Sequence, residues 1–233
     1  MSQVKGAEGR RVAVWDLPVR LFHWAIVVLV VVSVVTAKLG RMDLHLWSGG
    51  AILALVAFRL VWGFVGGGYA RFARFLYGPP AGLAYLRDWL RRPDHPARRH
   101  YLGHNPVGGW MVLLLLALLA AQATSGLFAT DDILFDGPLR KYVSEATSAK
   151  LTTWHRYGEK ALYICVGLHV AAVLGYLLLR RENLIKPMLT GDKLVPPGHV
   201  PADEASAGRP RLVLALVILA VTFGAVTALL KLA

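Results

Sequence analysis

The sequence predicts an all-α integral membrane protein, a helical bundle with a four-helix core and one extra C-terminal span, and three observations carry that prediction. Hydrophobic residues fill 56% of the 233 positions and charged residues 17%, with a mean hydropathy of +0.50; this is too apolar for a soluble domain of such length. Five apolar stretches, at residues 21–37, 44–65, 107–129, 151–179 and 212–230, each approach or exceed the roughly 20 residues that cross a bilayer as a helix. Lysine and arginine are shared unequally between the segments that join them. The two-residue alternation of a membrane β-barrel is absent.

The first stretch follows Lys5, Arg10, Arg11 and Arg20 and ends in the small pair Thr36 and Ala37, a pattern that also invites a signal-peptide reading. The amphipathic lead-in and His23 suit a retained helix instead. Between the second and third stretches, residues 66–105 carry their own apolar pattern, broken by Gly78, Pro79 and Pro80. Leu83, Leu86 and Leu90, at i, i+3 and i+7, predict a short amphipathic helix lying on the membrane surface. Residues 196–210, rich in Pro, Gly and Ala, read as a flexible connection. The last stretch holds no residue able to do chemistry and reads as an accessory anchor. The chain thus divides into a four-helix membrane domain at 1–195, with the loop 66–105 inside it, and a linker with the fifth span at 196–233.

Short loops rich in Lys and Arg stay cytoplasmic. The N-terminal arm, the loop after the second stretch and the loop after the fourth together carry seventeen such residues, against six on the other side, which also holds Asp131, Asp132 and Asp136. The N-terminus is therefore expected in the cytoplasm, and five spans put the C-terminus outside. The same asymmetry accounts for the net charge of +12, so nucleic acid is not expected as a partner. A second use of the basic loops, attraction of an acidic partner or anionic lipid, is open.

Four histidines fall within or at the ends of these stretches: His23, His45, His155 and His169. The 14 residues from His155 to His169 are nearly four helical turns, which places both on one face about 21 Å apart. Ionisable rings inside lipid are costly and are usually paired or liganded. With the topology above, depth pairs His23 with His169 toward the cytoplasm and His45 with His155 toward the outer side. Two haems, each clamped between helices by two imidazoles, would satisfy all four rings. Such iron has both axial positions filled, which favours one-electron relay over catalysis at the metal. Cys165 is the lone cysteine and no Cys-x-x-Cys-His motif exists, so any haem is held noncovalently and is b-type.

Haem propionates need cations where water is scarce, and Arg20, Arg59 and Arg156 are the candidates, with snorkelling to the headgroups as the alternative for Arg20 and Arg59. Gly49, Gly50, Gly158 and Gly167 lie near the ligands and either admit a flat ring or serve ordinary helix packing. Glu159 and Lys160 are expected to pair with each other or with Arg156. His95, His100 and His199 read as solvated loop residues. His104, at the mouth of the third span, could cap that helix, line a quinone pocket or replace His23 as a ligand.

Several segments resemble the bacterial cytochrome b561 group, which includes the b-type cytochrome subunit of nickel-iron hydrogenases. They are Trp15-Asp16-Leu17-Pro18-Val19-Arg20-Leu21-Phe22-His23-Trp24, then His45-Leu46-Trp47-Ser48-Gly49, Arg59-Leu60-Val61-Trp62-Gly63-Phe64-Val65-Gly66 and Tyr69-Ala70-Arg71-Phe72. Further on come His104-Asn105-Pro106 with Gly109, Trp154-His155, His169, and Asn183-Leu184 with Met188, Thr190, Gly191 and Lys193. The resemblance covers residues 12 to 193. It implies a dihaem core in the bacterial cytoplasmic (inner) membrane, with the four histidines as axial ligands. It also implies electron passage between a quinone pool and a redox partner, whether a periplasmic cytochrome c or a dehydrogenase or hydrogenase subunit. The fifth span departs from the shorter members.

Other classes fit less of the chain. A transporter would need more intramembrane charge than Arg59, Arg156, Glu159 and Lys160 supply, and a broken-helix repeat. A membrane metalloprotease would need a motif such as His-Glu-x-x-His, which is absent. A mainly structural anchor subunit of a dehydrogenase or hydrogenase complex explains the spans and leaves the histidines unexplained.

Overall fold

Five long helices cross the bundle in a computed structural model that describes residues 9–91, 101–131, 133–195 and 211–232. The expectations for residues 92–100 and 196–210, among them His95, His100 and His199, and those on Lys5 and Asp132, lie outside the described residues. The spans are α1 (Leu17–Lys38), α2 (Met42–Val65), α5 (Pro106–Gly126), α6 (Glu145–Leu179) and α8 (Leu212–Leu232), each long and apolar enough to cross a membrane. Shorter helices are α3 (Phe72–Phe75) and α4 (Pro79–Arg91) before α5, and α7 (Ile185–Thr190) after α6.

Local chemistry sets the helix ends. Asp16 caps α1 by accepting the Val19 N–H at 2.9 Å, and its second oxygen accepts from Trp62 Nε1 at 3.0 Å. Asn105 and Ser144 cap α5 and α6 in the same way, through Gly108 N and Thr147 N. Gly40, at φ +68°, makes the tight turn from α1 into α2. The fourth apolar stretch begins its helix at Glu145, six residues before the expected start, because the capped polar turn Glu145–Lys150 is helical although not hydrophobic. At 35 residues, about 52 Å, α6 is longer than the bilayer core is thick. The third stretch ends at Gly126 instead of 129. Leu127 and Ala129 leave the helix to bond the returning loop through Leu139 N and Gly137 N.

Helix α2 is the centre of the bundle. More than half of its apolar window is buried, against under a fifth for each other span. It packs between α1, α5 and α8, while α6 packs along α5 and is joined to α1 by the Lys38–Glu159 pair and to α2 by Leu162 in the cluster with Ile52 and Val56. One core cluster joins Val19, Phe58, Trp62, Ala70 and Ala215; another joins Ile52, Val56, Leu119 and Leu162. The fifth span, α8, is therefore seated on α2, with Leu230 against Gly50 and Arg211 donating to the Val65 carbonyl at 3.2 Å.

The surface helix expected at Leu83, Leu86 and Leu90 is α4, and those three leucines are exposed. Pro79 and Pro80 start this helix instead of breaking a pattern, as proline in a first turn can. The neighbouring face docks it, with Gly82 under Trp110, Tyr85 bonded to the Tyr176 hydroxyl and Trp89 under Arg180. A small antiparallel sheet adds to the helical fold: β1 (Arg10–Ala13) pairs with β2 (Asp192–Val195), Arg10 opposite Val195. It fastens the N-terminal arm to the segment after α7, where Gly191 (φ +95°) receives the Val14 and Trp15 N–H groups on its carbonyl.

Candidate functional site

The four intramembrane histidines stand in two layers. His45, in the first turn of α2, faces His155 on α6 with ring centres 6.1 Å apart and planes crossed at 83°. His23 on α1 faces His169 on α6 at 6.4 Å and 55°. Each pair joins helices that are not neighbours in close packing, and the layer of Ile52, Val56, Leu119 and Leu162 lies in the apolar core of the same bundle. Neither separation permits a hydrogen bond between the rings. Two imidazole nitrogens, each about 2 Å from one metal ion, with the ring centres about 1 Å further back, would stand about 6 Å centre to centre.

The two layers differ in how their rings are held. His45 Nδ1 donates to the Ser33 carbonyl on α1 at 2.9 Å, with Ser33 Oγ at 3.2 Å. His155 Nδ1 donates to the Gln122 carbonyl on α5 at 2.9 Å, with Ser125 Oγ at 3.3 Å. These bonds fix the tautomer and leave Nε2 free on both rings. In the other layer, His23 Nδ1 is buried without a partner.

Gln122 ties the two helices reciprocally. Its side-chain Nε2 donates to the His155 carbonyl at 2.9 Å while its own carbonyl takes the ring. Gly158 makes room for it, since a Cβ there would lie 2.2 Å from Gln122 Oε1, and Gly126 makes room for the His155 ring. Gly158 and Gly50 thus serve helix packing, whereas a Cβ on Gly49 or Gly167 would meet nothing within 4 Å. Ser33, Gln122 and Ser125 were not among the residues singled out from sequence. Their signal is a polar group inside an apolar run, which needs a partner in lipid.

The arginines occupy three different settings. Arg59 does not reach the headgroups: it is 3% exposed, donates to the Ala70 carbonyl at 3.1 Å, lies 5.0 Å from the Phe72 ring, and leaves Nη1 buried without a partner. The Arg20 guanidinium binds the Leu189 carbonyl at the end of α7, beside Trp24, which donates to Met188, and Arg20 Nε is buried and unpartnered. Arg156 is exposed next to His155. Glu159 pairs with Lys38 of α1 at 3.0 Å and accepts from Tyr163; the pairing with Lys160 or Arg156 expected from sequence is replaced by this cross-helix one, because α1 ends beside that turn of α6.

His104 lies against Trp15 and Phe75, with ring centres 4.7 and 5.0 Å away. The cap of α5 is Asn105, not His104, and the ring that faces His169 at 6.4 Å is that of His23. Burial first, then the positive charge of Arg59 and the nearby His169 and His23, push His104 down to about 3, so it is neutral at pH 7.

The donor set fits a planar metal macrocycle. No cluster of three or more His, Cys, Asp or Glu side chains that could hold a metal forms among the described residues, so each pair offers only two donors, on opposite sides. The remaining coordination must come from the bound group itself. Unpartnered buried cationic nitrogens on Arg20 and Arg59 suit its carboxylates.

A profile of the prokaryotic cytochrome b561 family matches residues 14–191, most of the chain and all four histidines. The chain belongs to the prokaryotic cytochrome b561 family. As a member it is a b-type cytochrome of the membrane, binding haem b and transferring electrons across the bilayer. This cytochrome is 26% identical over 221 residues to a "Probable Ni/Fe-hydrogenase B-type cytochrome subunit" of Rhodobacter capsulatus, covering 78% of this chain and 81% of that one. Proteins with the same name are 22% identical over 226 residues in Rhizobium leguminosarum bv. viciae (82% and 92% covered) and 26% identical over 230 residues in Azotobacter chroococcum mcd 1 (82% and 91%). No solved structure gives a significant match to this cytochrome.

Proposed function

We propose that the protein holds two haem b groups, one between His45 and His155 and one between His23 and His169, and relays electrons between a nickel-iron hydrogenase subunit and the quinone pool. The observation that carries this reading is the pair of His–His separations, 6.1 and 6.4 Å, each the span of two imidazoles on one metal. The hydrogenase is suggested by the names of the relatives. A periplasmic cytochrome c is the alternative partner.

His45 with His155, and His23 with His169, would hold haem, which would supply a one-electron iron couple. The chain's own residues do the rest. Ser33 and Gln122 orient His45 and His155; Arg20 and Arg59 neutralise propionates of the His23–His169 group, and Arg156 those of the other group at the membrane surface. The excess of Lys and Arg on the N-terminal side orients the His23–His169 layer toward the cytoplasm and the His45–His155 layer, with the C-terminus, toward the periplasm.

The test is a histidine series on the purified full chain. We expect His45→Ala or His155→Ala to abolish one haem signal and His23→Ala or His169→Ala the other. Loss of the same signal from His23→Ala and His155→Ala would refute the pairing.

A further inference from the structure

Two layers with the same ligands are set apart by what the outer nitrogens of those ligands touch. In the His45–His155 layer both Nδ1–H groups are bound by backbone carbonyls at 2.9 Å, from Ser33 and Gln122. A carbonyl acceptor pushes electron density into the ring and makes Nε2 a stronger base, which favours the oxidised, more positive iron. In the His23–His169 layer His23 Nδ1 has no acceptor. The buried Arg59 stands at the level of that layer, because Phe58 and Trp62 on either side of it pack with Val19 and Phe22 of α1 beside His23. A fixed positive charge in a medium of low dielectric favours the reduced iron. Glu159, one turn along α6 from His155, is paired with Lys38 at 3.0 Å, so the two charges largely offset each other there.

We propose that these second contacts order the two haems, with the His45–His155 group at the lower reduction potential and Gln122 as the residue that positions the carbonyl responsible on the α6 side. An electron entering at the His45–His155 face then passes on spontaneously: that group is oxidised as it leaves, the His23–His169 group is reduced as it arrives, and no proton or further reactant is consumed. The ordering rests on the two-haem reading, and its test separates the two.

The measurement is a potentiometric titration of the purified holoprotein, followed by visible absorption and by low-spin electron paramagnetic resonance. Wild type should show two midpoints. His155→Ala or His45→Ala should remove the lower one and leave the upper, and His23→Ala the reverse. Gln122→Leu, which cuts the tie to the His155 carbonyl, should raise the lower midpoint, leave the upper in place and shift the resonance of one haem only. Two bound haems with the upper midpoint lost in His155→Ala would overturn the ordering while leaving the two-haem reading intact. Failure to bind two haems at all would instead sink that reading. If Gln122→Leu does not retain haem, the histidine variants alone decide the order; an unchanged lower midpoint in a haem-replete Gln122→Leu protein would remove Gln122 from the positioning role.

Discussion

Replacing Gly158 by alanine tests how tightly α5 and α6 are held at the level of His155. The new Cβ would stand 2.2 Å from Gln122 Oε1, so more than about 1 Å of movement is needed to reach ordinary contact. The amide can swing away, but then the 2.9 Å bond from Gln122 Nε2 to the His155 carbonyl is lost, at about 1 kcal/mol. The helices can part instead, at the roughly 1–3 kcal/mol typical of overpacking, and the His155 Nδ1 bond to the Gln122 carbonyl stretches with them. Alanine in a helix interior returns up to about 1 kcal/mol. The net expectation runs from no change to destabilisation by about 2 kcal/mol, and the variant should in either case be less stable than its control. Gly167→Ala is the control, since nothing lies within 4 Å of its Cβ on the same helix, and it should be neutral or slightly stabilising. Denaturation in detergent, followed by circular dichroism, gives both values. Equal stability of the two variants would refute the packing argument.

Asp16→Ala should cost about 2 kcal/mol, because it removes both the α1 cap at Val19 N and the acceptor for Trp62 Nε1; the same melts check it, and Asp16→Asn should lose less. Arg59→Met should weaken retention of the His23–His169 haem and spare the other, read as haem content after washing in detergent; equal loss of both would contradict the placement of its unpartnered Nη1. His104 has a folded-state pKa below its ordinary value, so its contribution is full above about pH 6.5 and is lost as pH falls toward 3. Melting temperature should therefore fall between pH 7 and 4 in wild type by more than in His104→Phe.

Much of the fold is legible in the residues because the bilayer restricts the choices. Each apolar stretch is long enough to cross, and nothing but a helix satisfies its backbone there. The 14-residue spacing of His155 and His169 predicts two levels on one helix face, and α6 carries the two rings toward α2 and α1. The ends were harder to read. Glu145–Lys150 is polar, so hydropathy passes over a turn that Ser144 caps, while Leu127 and Ala129 are apolar yet serve the loop. The strands Arg10–Ala13 and Asp192–Val195 are far apart in the chain and have no periodic signal, so only the fold reveals their pairing. Arg20, Arg59 and Glu159 find partners on other helices, at Leu189, Ala70 and Lys38, and cross-helix contacts of this kind cannot be read from one helix's spacing. The role of Ser33 and Gln122 is not legible from residue type for a related reason: it is their backbone carbonyls that hold the rings.

The most direct test of the two-layer site is a haem count on the purified full chain, by pyridine haemochrome absorbance against protein mass, repeated after each single histidine replacement. We expect two haem b per chain, low-spin with imidazole on both sides, and one after any of the four replacements. One haem in wild type, or two retained after His23→Ala and after His155→Ala, would contradict it.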